Sequence, residues 1–267
     1  HLGRGLLDDK PMVDRTLSST ALRAYWLGRY LERAGSTARL VSVNAKLLID
    51  LPVRLPLGWL PLVDILAQED EFQKLYGDFK QATGNNALDE HEKSVVRFML
   101  NDQRNPASLL SSLEFARENA RTLRGTLPRA SYEHINETYL FAKEVLQEPL
   151  SRTRRNNGLI EILSHLDQIN GFLSSTMLHN ASWHFFRMGN FLERADMTTR
   201  IIDLRTVNLV ESETGLKPFA DIQWRSVLSS LDSMQSYTVS MQNPINQPDV
   251  LEFLLKYSDL PRSLLRC

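Results

Sequence analysis

Apolar side chains recur along the first fifth of the chain at Leu27, Leu31, Ala34, Ala38, Val41, Ala45 and Leu48. The steps alternate between four and three residues, which is a heptad seam. It predicts one long helix from Ser18 or Ser19, both good N-caps, to a stop at Pro52. Adding 161 to each position gives Met188, Leu192, Ala195, Thr199, Ile202, Thr206 and Leu209, the same seam softened by two threonines. The second helix is expected over about Ala181 to Val210.

The correspondence extends further. Gly28 maps to Gly189, Tyr30 to Phe191 and Arg39 to Arg200. Trp59, Leu62, Val63 and Leu66 match Trp224, Val227, Leu228 and Leu231, and Val95–Leu110 aligns with Val250–Leu265, including Pro106/Pro261 and Ser108/Ser263. Four blocks in the same order predict an internal duplication of about 19–110 and 182–267 within a single all-helical domain, 1–267. The second copy reads as truncated, because it stops at "PRSLLRC" where the first continues as "PASLLSSLEF". Further helices are expected from Asn105-Pro106 to Leu123, Ser131 to Gln147, and Leu159 to Leu178. Ser151–Gly158 is read as a linker, and 81–87 and 212–218 as turns. No period-2 alternation is sustained. The fold class is therefore all-α: a helical bundle of two duplicated halves, without significant sheet.

A second line runs along each long helix, through Tyr25, Arg29, Glu32, Ser36, Arg39 and Val43, and through Phe186, Glu193, Met197, Arg200 and Leu204. It is apolar at its ends and ionic in the middle, which predicts partial burial, and buried Glu and Arg require partners. Glu32 and Arg39 lie two turns apart, about 10 Å, too far to pair within one helix. The expected pairs cross between helices, Glu32 with Arg200 and Glu193 with Arg39. Two readings stay open. The pairs set helix register, or they line a cleft that holds a carboxylate, phosphate or peptide group.

"YWLGRYLERAGSTARL" at Tyr25–Leu40, "FFRMGNFLERADMTTRI" at Phe185–Ile201 and the block from Val250 resemble the bacterial alpha-E family, named for its helices and its Glu-Arg motif. The resemblance spans nearly the whole chain. It places the motif on Glu32/Arg33 and Glu193/Arg194, and it carries over no catalytic residue. The usual wording, E-R-A-D/E-N-T-A-R, is altered at Gly35-Ser36 and at Met197-Thr198. The resemblance implies an all-helical protein found beside circularly permuted ATP-grasp proteins and transglutaminase-like proteins, and so a role in forming or processing amide or peptide bonds.

Composition narrows the remaining classes. Net charge is −1, and no field draws the chain to nucleic acid or an anionic membrane. Of 31 basic residues 23 are Arg, the residue suited to two-pronged carboxylate pairing. The one cysteine, Cys267, allows no internal disulfide and points to a reducing, cytoplasmic setting. No signal peptide is visible at His1, and no run reaches the ~18 apolar residues of a spanning helix. Neither phosphate-loop pattern is present, no cofactor is expected, and homo-oligomerisation is left open. His179 and His184, five apart, have the wrong spacing for a shared metal, and no metal site is expected. The acids at Asp89–Glu92 suit a helix N-terminus. Arg152, Arg154 and Arg155, with Arg121, Arg124 and Arg129, read as a solvated basic patch. Trp183 and His184 border the second motif and are weaker site candidates than Tyr25, Arg29, Glu32, Arg33, Arg39, Glu193, Arg194 and Arg200. The expected function is that of an accessory or binding protein working with an ATP-grasp-type ligase. The alternatives are an enzyme with a Glu general base and anion-holding arginines, and a purely structural helical module.

Overall fold

A computed structural model describes residues 18–50, 58–77, 85–211 and 220–267. The described residues form eleven helices and no strand. The longest, α1 (Ser18–Asp50), α7 (Arg152–Thr176) and α8 (Ala181–Glu211), make the frame. Between α1 and α7 lie α2 (Pro61–Ile65), α3 (Glu69–Tyr76), α4 (Asn85–Leu100), α5 (Leu109–Thr122) and α6 (Arg129–Val145). After α8 come α9 (Ala220–Ser230), α10 (Met234–Met241) and α11 (Gln247–Lys256). No helix among the described residues is long and apolar enough to cross a membrane.

The centre is α1, which packs against α8, α5, α7, α9 and α4. Its heptad seam is covered as expected: Leu27, Leu31, Ala34, Ala38 and Val41 are all buried. The matching seam on α8 is covered only in part: Ile202 is buried, and the side chains of Thr206 and Leu209 lie outside the described residues. Met188 and Leu192 are 43% and 48% exposed, and Thr199 faces solvent. The reason is the number of neighbours. Helix α8 leans mainly on α1, with smaller contacts to α9 and α2, and its main buried stripe is Phe186, Glu193, Met197 and Ile201. On α1, both stripes have partners.

Trp59 and Trp224 are buried, as are the apolar residues that follow each. The Ser108 and Ser263 turns are built alike. Each serine accepts a hydrogen bond from the amide three residues on, Ser111 or Arg266, at 3.2 Å. Each serine carbonyl receives the amide four residues on, from Ser112 at 2.9 Å and Cys267 at 3.1 Å.

Three expected boundaries move. Helix α5 is capped by Ser108, not Asn105, because the Asn105 side chain is used in a turn between Phe98 O and Ala107 N. The stretch 151–158 is no linker but the first turns of α7. Ser151 caps it by accepting from Arg154 N, Arg155 is buried, and both Arg152 and Arg155 bind Glu92 of α4. Of the expected solvated patch only Arg155 is withdrawn into the fold; Arg121, Arg124, Arg129, Arg152 and Arg154 are exposed. Helix α4 begins at Asn85, so 85–87 are not a turn and Glu92 lies beyond the first helical turn. Positions 81–84 and 212–218 lie outside the described residues.

Candidate functional site

Helices α1 and α8 touch backbone to backbone. A Cβ added at Gly28 would run into the carbonyl of Phe186 and come within 2.9 Å of Asn190 N. A Cβ at Gly189 would run into the carbonyl of Tyr25 and come within 3.2 Å of Arg29 N. Only glycine permits this approach from both sides. The contacting pairs keep a nearly constant separation, 160 to 164 residues, so the helices run in the same direction and in register.

This register decides the ion pairs. Glu193 accepts Arg33 Nε at 2.6 Å and Arg33 Nη2 at 2.9 Å, and it also accepts Arg29 Nε. Glu32 accepts Arg194 Nη2 at 2.9 Å and Arg262 Nη1 at 2.6 Å. Both carboxylates are buried. The crossing is reciprocal, as expected, but the partners are the arginines of the motif itself. Arg200 lies six residues beyond Arg194, about 9 Å further along the axis. It binds Asp196 at 2.8 Å instead. Arg39 points toward Asp167 and Asp232. Tyr25 accepts from Arg29 at 2.8 Å, so Tyr25, Arg29 and Arg33 gather at the Glu193 end.

Burial pushes the Glu32 carboxyl up, but Arg262 and Arg194 pull it down further, to about 2. Glu32 is thus a fixed anion. Burial lowers the pKa of Arg39 and that of Arg187, and a neighbouring guanidinium adds to each: Arg262 beside Arg39, Arg194 beside Arg187. Both cations are held where a further anion would relieve them.

The Glu32 end opens into a cavity of about 160 Å³ between α1, α7 and α8. Arg39, Arg187, Arg194 and Arg262 line it against Glu32, Asp167 and Asp232. Arg194 and Arg262 are committed to Glu32. Arg39 has Asp167 at 3.7 Å and Asp232 at 4.0 Å, beyond hydrogen-bond range. Arg187 rests over the rings of Phe191 and Trp183, at 4.3 and 5.4 Å. Gly35 also lines the cavity, and its lack of a side chain keeps that wall open. The position 161 further on is Asp196, whose carboxylate takes Arg200 and leaves that cation occupied.

The sequence pointed to Glu32, Arg39 and Arg194 in this cavity. It missed Arg187, Asp167, Asp232 and Arg262. Arg187 falls opposite Trp26 when the two helices are aligned, so a search for matching residues passes over it. Arg262 reaches Glu32 from 230 residues away, with no local pattern to mark it. Trp183 joins the site only as the bed of Arg187, stacked on His179 at a 4.5 Å centroid distance. His184 is exposed and not among the lining residues. A larger cavity, about 270 Å³, lies where α4 meets the start of α7, but its Arg152 and Arg155 already serve Glu92.

No curated protein and no solved structure is significantly similar to the chain. Residues 16–267 match the family Alpha-E, described as a predicted alpha-helical domain with a conserved ER motif. The chain has two Glu-Arg dipeptides that complete each other across the α1–α8 contact, and with nearly its whole length matched it belongs to the Alpha-E family.

Proposed function

We propose that the chain is an accessory or binding protein that works with an ATP-grasp-type ligase in forming or modifying a peptide or amide bond. Its own task is to hold an anionic group in the cavity beside Glu32. The observation that carries this is the pair of arginines left over after the Glu-Arg clamp is satisfied. Among the described residues, Arg39 and Arg187 line one cavity, and neither has a carboxylate within hydrogen-bond distance. Desolvated guanidinium groups without a hydrogen-bonded carboxylate favour an incoming carboxylate or phosphate.

The choice of an ATP-grasp partner, and of a transglutaminase-like one, follows from the family resemblance, as does bacterial origin; a cytoplasmic setting follows from the single cysteine, Cys267. A Glu general base gains no support at Glu32, whose carboxyl is ionised down to about 2 and engaged by two arginines. The duplication, about 19–110 and 182–267, belongs to the same proposal. It is supported by the reciprocal glycine contacts, the reciprocal ion pairs and the matched Ser108 and Ser263 turns.

The test is copurification of the chain with the ATP-grasp protein encoded beside it, followed by an assay of ATP-dependent amide formation. Complex formation and stimulation by the native chain, with stimulation lost in Arg39→Met/Arg187→Met, are expected. Absence of both binding and stimulation overturns the proposal.

A further inference from the structure

The cavity beside Glu32 changes sign along its depth. Its inner wall carries Arg39, Arg194 and Arg262, each with a side chain only 12–13% exposed, against one carboxylate. At its mouth stand Asp167 and Asp232, about two-thirds exposed. Both approach the same Nη2 of Arg39, and neither is close enough to be fixed by a hydrogen bond. Asp232 is also held at a φ of 53°, in the turn between α9 and α10. That left-handed conformation is uncommon outside glycine, and Asp and Asn are among the few residues that tolerate it. Such a backbone outlier beside a cleft is a pointer to function.

A simple anion would use the inner wall and be repelled by the mouth. A ligand with a cation close to its anion would satisfy both. We infer that the cavity takes an α-amino-acid unit, with the carboxylate on Arg39 and Arg187 and the ammonium between Asp167 and Asp232. This deepens the proposal that the cavity holds an anion, and it rests on it. The volume, about 160 Å³, lies below that of sites for larger ligands and suits a single residue. For a protein that assists amide formation, such a ligand would be the unit to be joined.

The test is titration calorimetry of the full chain with L-alanine and L-glutamate, their N-acetyl derivatives, L-alaninamide and inorganic phosphate. The free amino acids are expected to bind roughly fivefold or more tightly than the N-acetyl forms, the order that two partly exposed ion pairs supply. The amide, which lacks the carboxylate, should not bind measurably. Asp167→Asn/Asp232→Asn should erase the preference and leave N-acetyl binding in place. Asparagine keeps the left-handed turn accessible, and a matching thermal midpoint certifies the fold. If N-acetyl forms or phosphate bind as tightly as the free amino acids, or if the preference survives the double substitution, this inference falls and the anion reading stands. If no probe binds, both fall.

Discussion

Arg33 and Glu193 are joined by two hydrogen bonds, and Arg194 and Glu32 by one, so each Glu-Arg dipeptide is completed by the other. Double-mutant cycles should show this wiring. Coupling above about 1 kcal/mol is expected for Glu32 with Arg194 and for Glu193 with Arg33, but none beyond about 0.5 kcal/mol for Glu32 with Arg200. Truncating Glu32 alone should cost about 3–5 kcal/mol in urea unfolding, because two buried guanidinium groups lose their counter-ion.

Acid should weaken the fold through Glu32. Its carboxyl lies at about 2 in the folded chain against an ordinary 4.5, so its stabilisation is complete above pH 4.5 and is lost as the pH falls toward 2. The amount is about 3 kcal/mol. Asp102, held at about 2 by hydrogen bonds from Arg104, titrates in the same window. The comparison is therefore with Glu32→Gln, which should be less stable at pH 6 and show a flatter decline from pH 5 to pH 2 in urea midpoints.

Alanine at Gly28 should destabilise the chain, against the usual gain for a glycine inside a helix. The added methyl would strike the Phe186 carbonyl, and backbone cannot rotate away as a side chain can. A loss of about 3 kcal/mol or more is expected, toward the upper end for overpacking. At Gly171 in α7 a methyl group would meet nothing within 4 Å, and Gly171→Ala should instead gain up to about 1 kcal/mol. Thermal midpoints of the two variants decide the matter by sign.

Arg39→Met should be neutral or stabilising by about 1 kcal/mol, since it removes a desolvated cation whose nearest carboxylates, both largely exposed, lie beyond hydrogen-bond range. The same change should weaken anion binding more than tenfold, read by calorimetry. Stability and binding would then move in opposite directions, as at sites kept for a ligand.

Gly35→Asp should close the cavity. A Cβ there would meet Arg39 at 3.5 Å and Leu166 at 3.7 Å, ordinary contacts, so the helix accepts it. The new carboxylate would occupy Arg39 much as Asp196 occupies Arg200. Binding should be lost while the melting temperature holds within a few degrees.

The long helices were legible because their seams repeat over many turns, and the burial of Glu32 and Glu193 was legible from apolar residues on the same line. The pairing was not. Spacing along one helix gives no distance to the next; the close approach of Gly28 to Phe186 and of Gly189 to Tyr25 sets the register in which Arg194, rather than Arg200, faces Glu32. The exposure of Met188 and Leu192 on the α8 seam was illegible for a related reason: the pattern shows which residues want cover, not which neighbours arrive. The cavity was only half visible. Its walls come from α7, from the Asp232 turn and from Arg262, three places with no shared periodicity.

The meeting of main chains at Gly28 and Gly189 has a mechanical consequence. Two helices that abut through peptide groups have no compliant layer between them, so α1 and α8 form a stiff spine. Any widening of the cavity on ligand entry must then be taken up by α7 and the turn at Asp232, which face that spine from the other side.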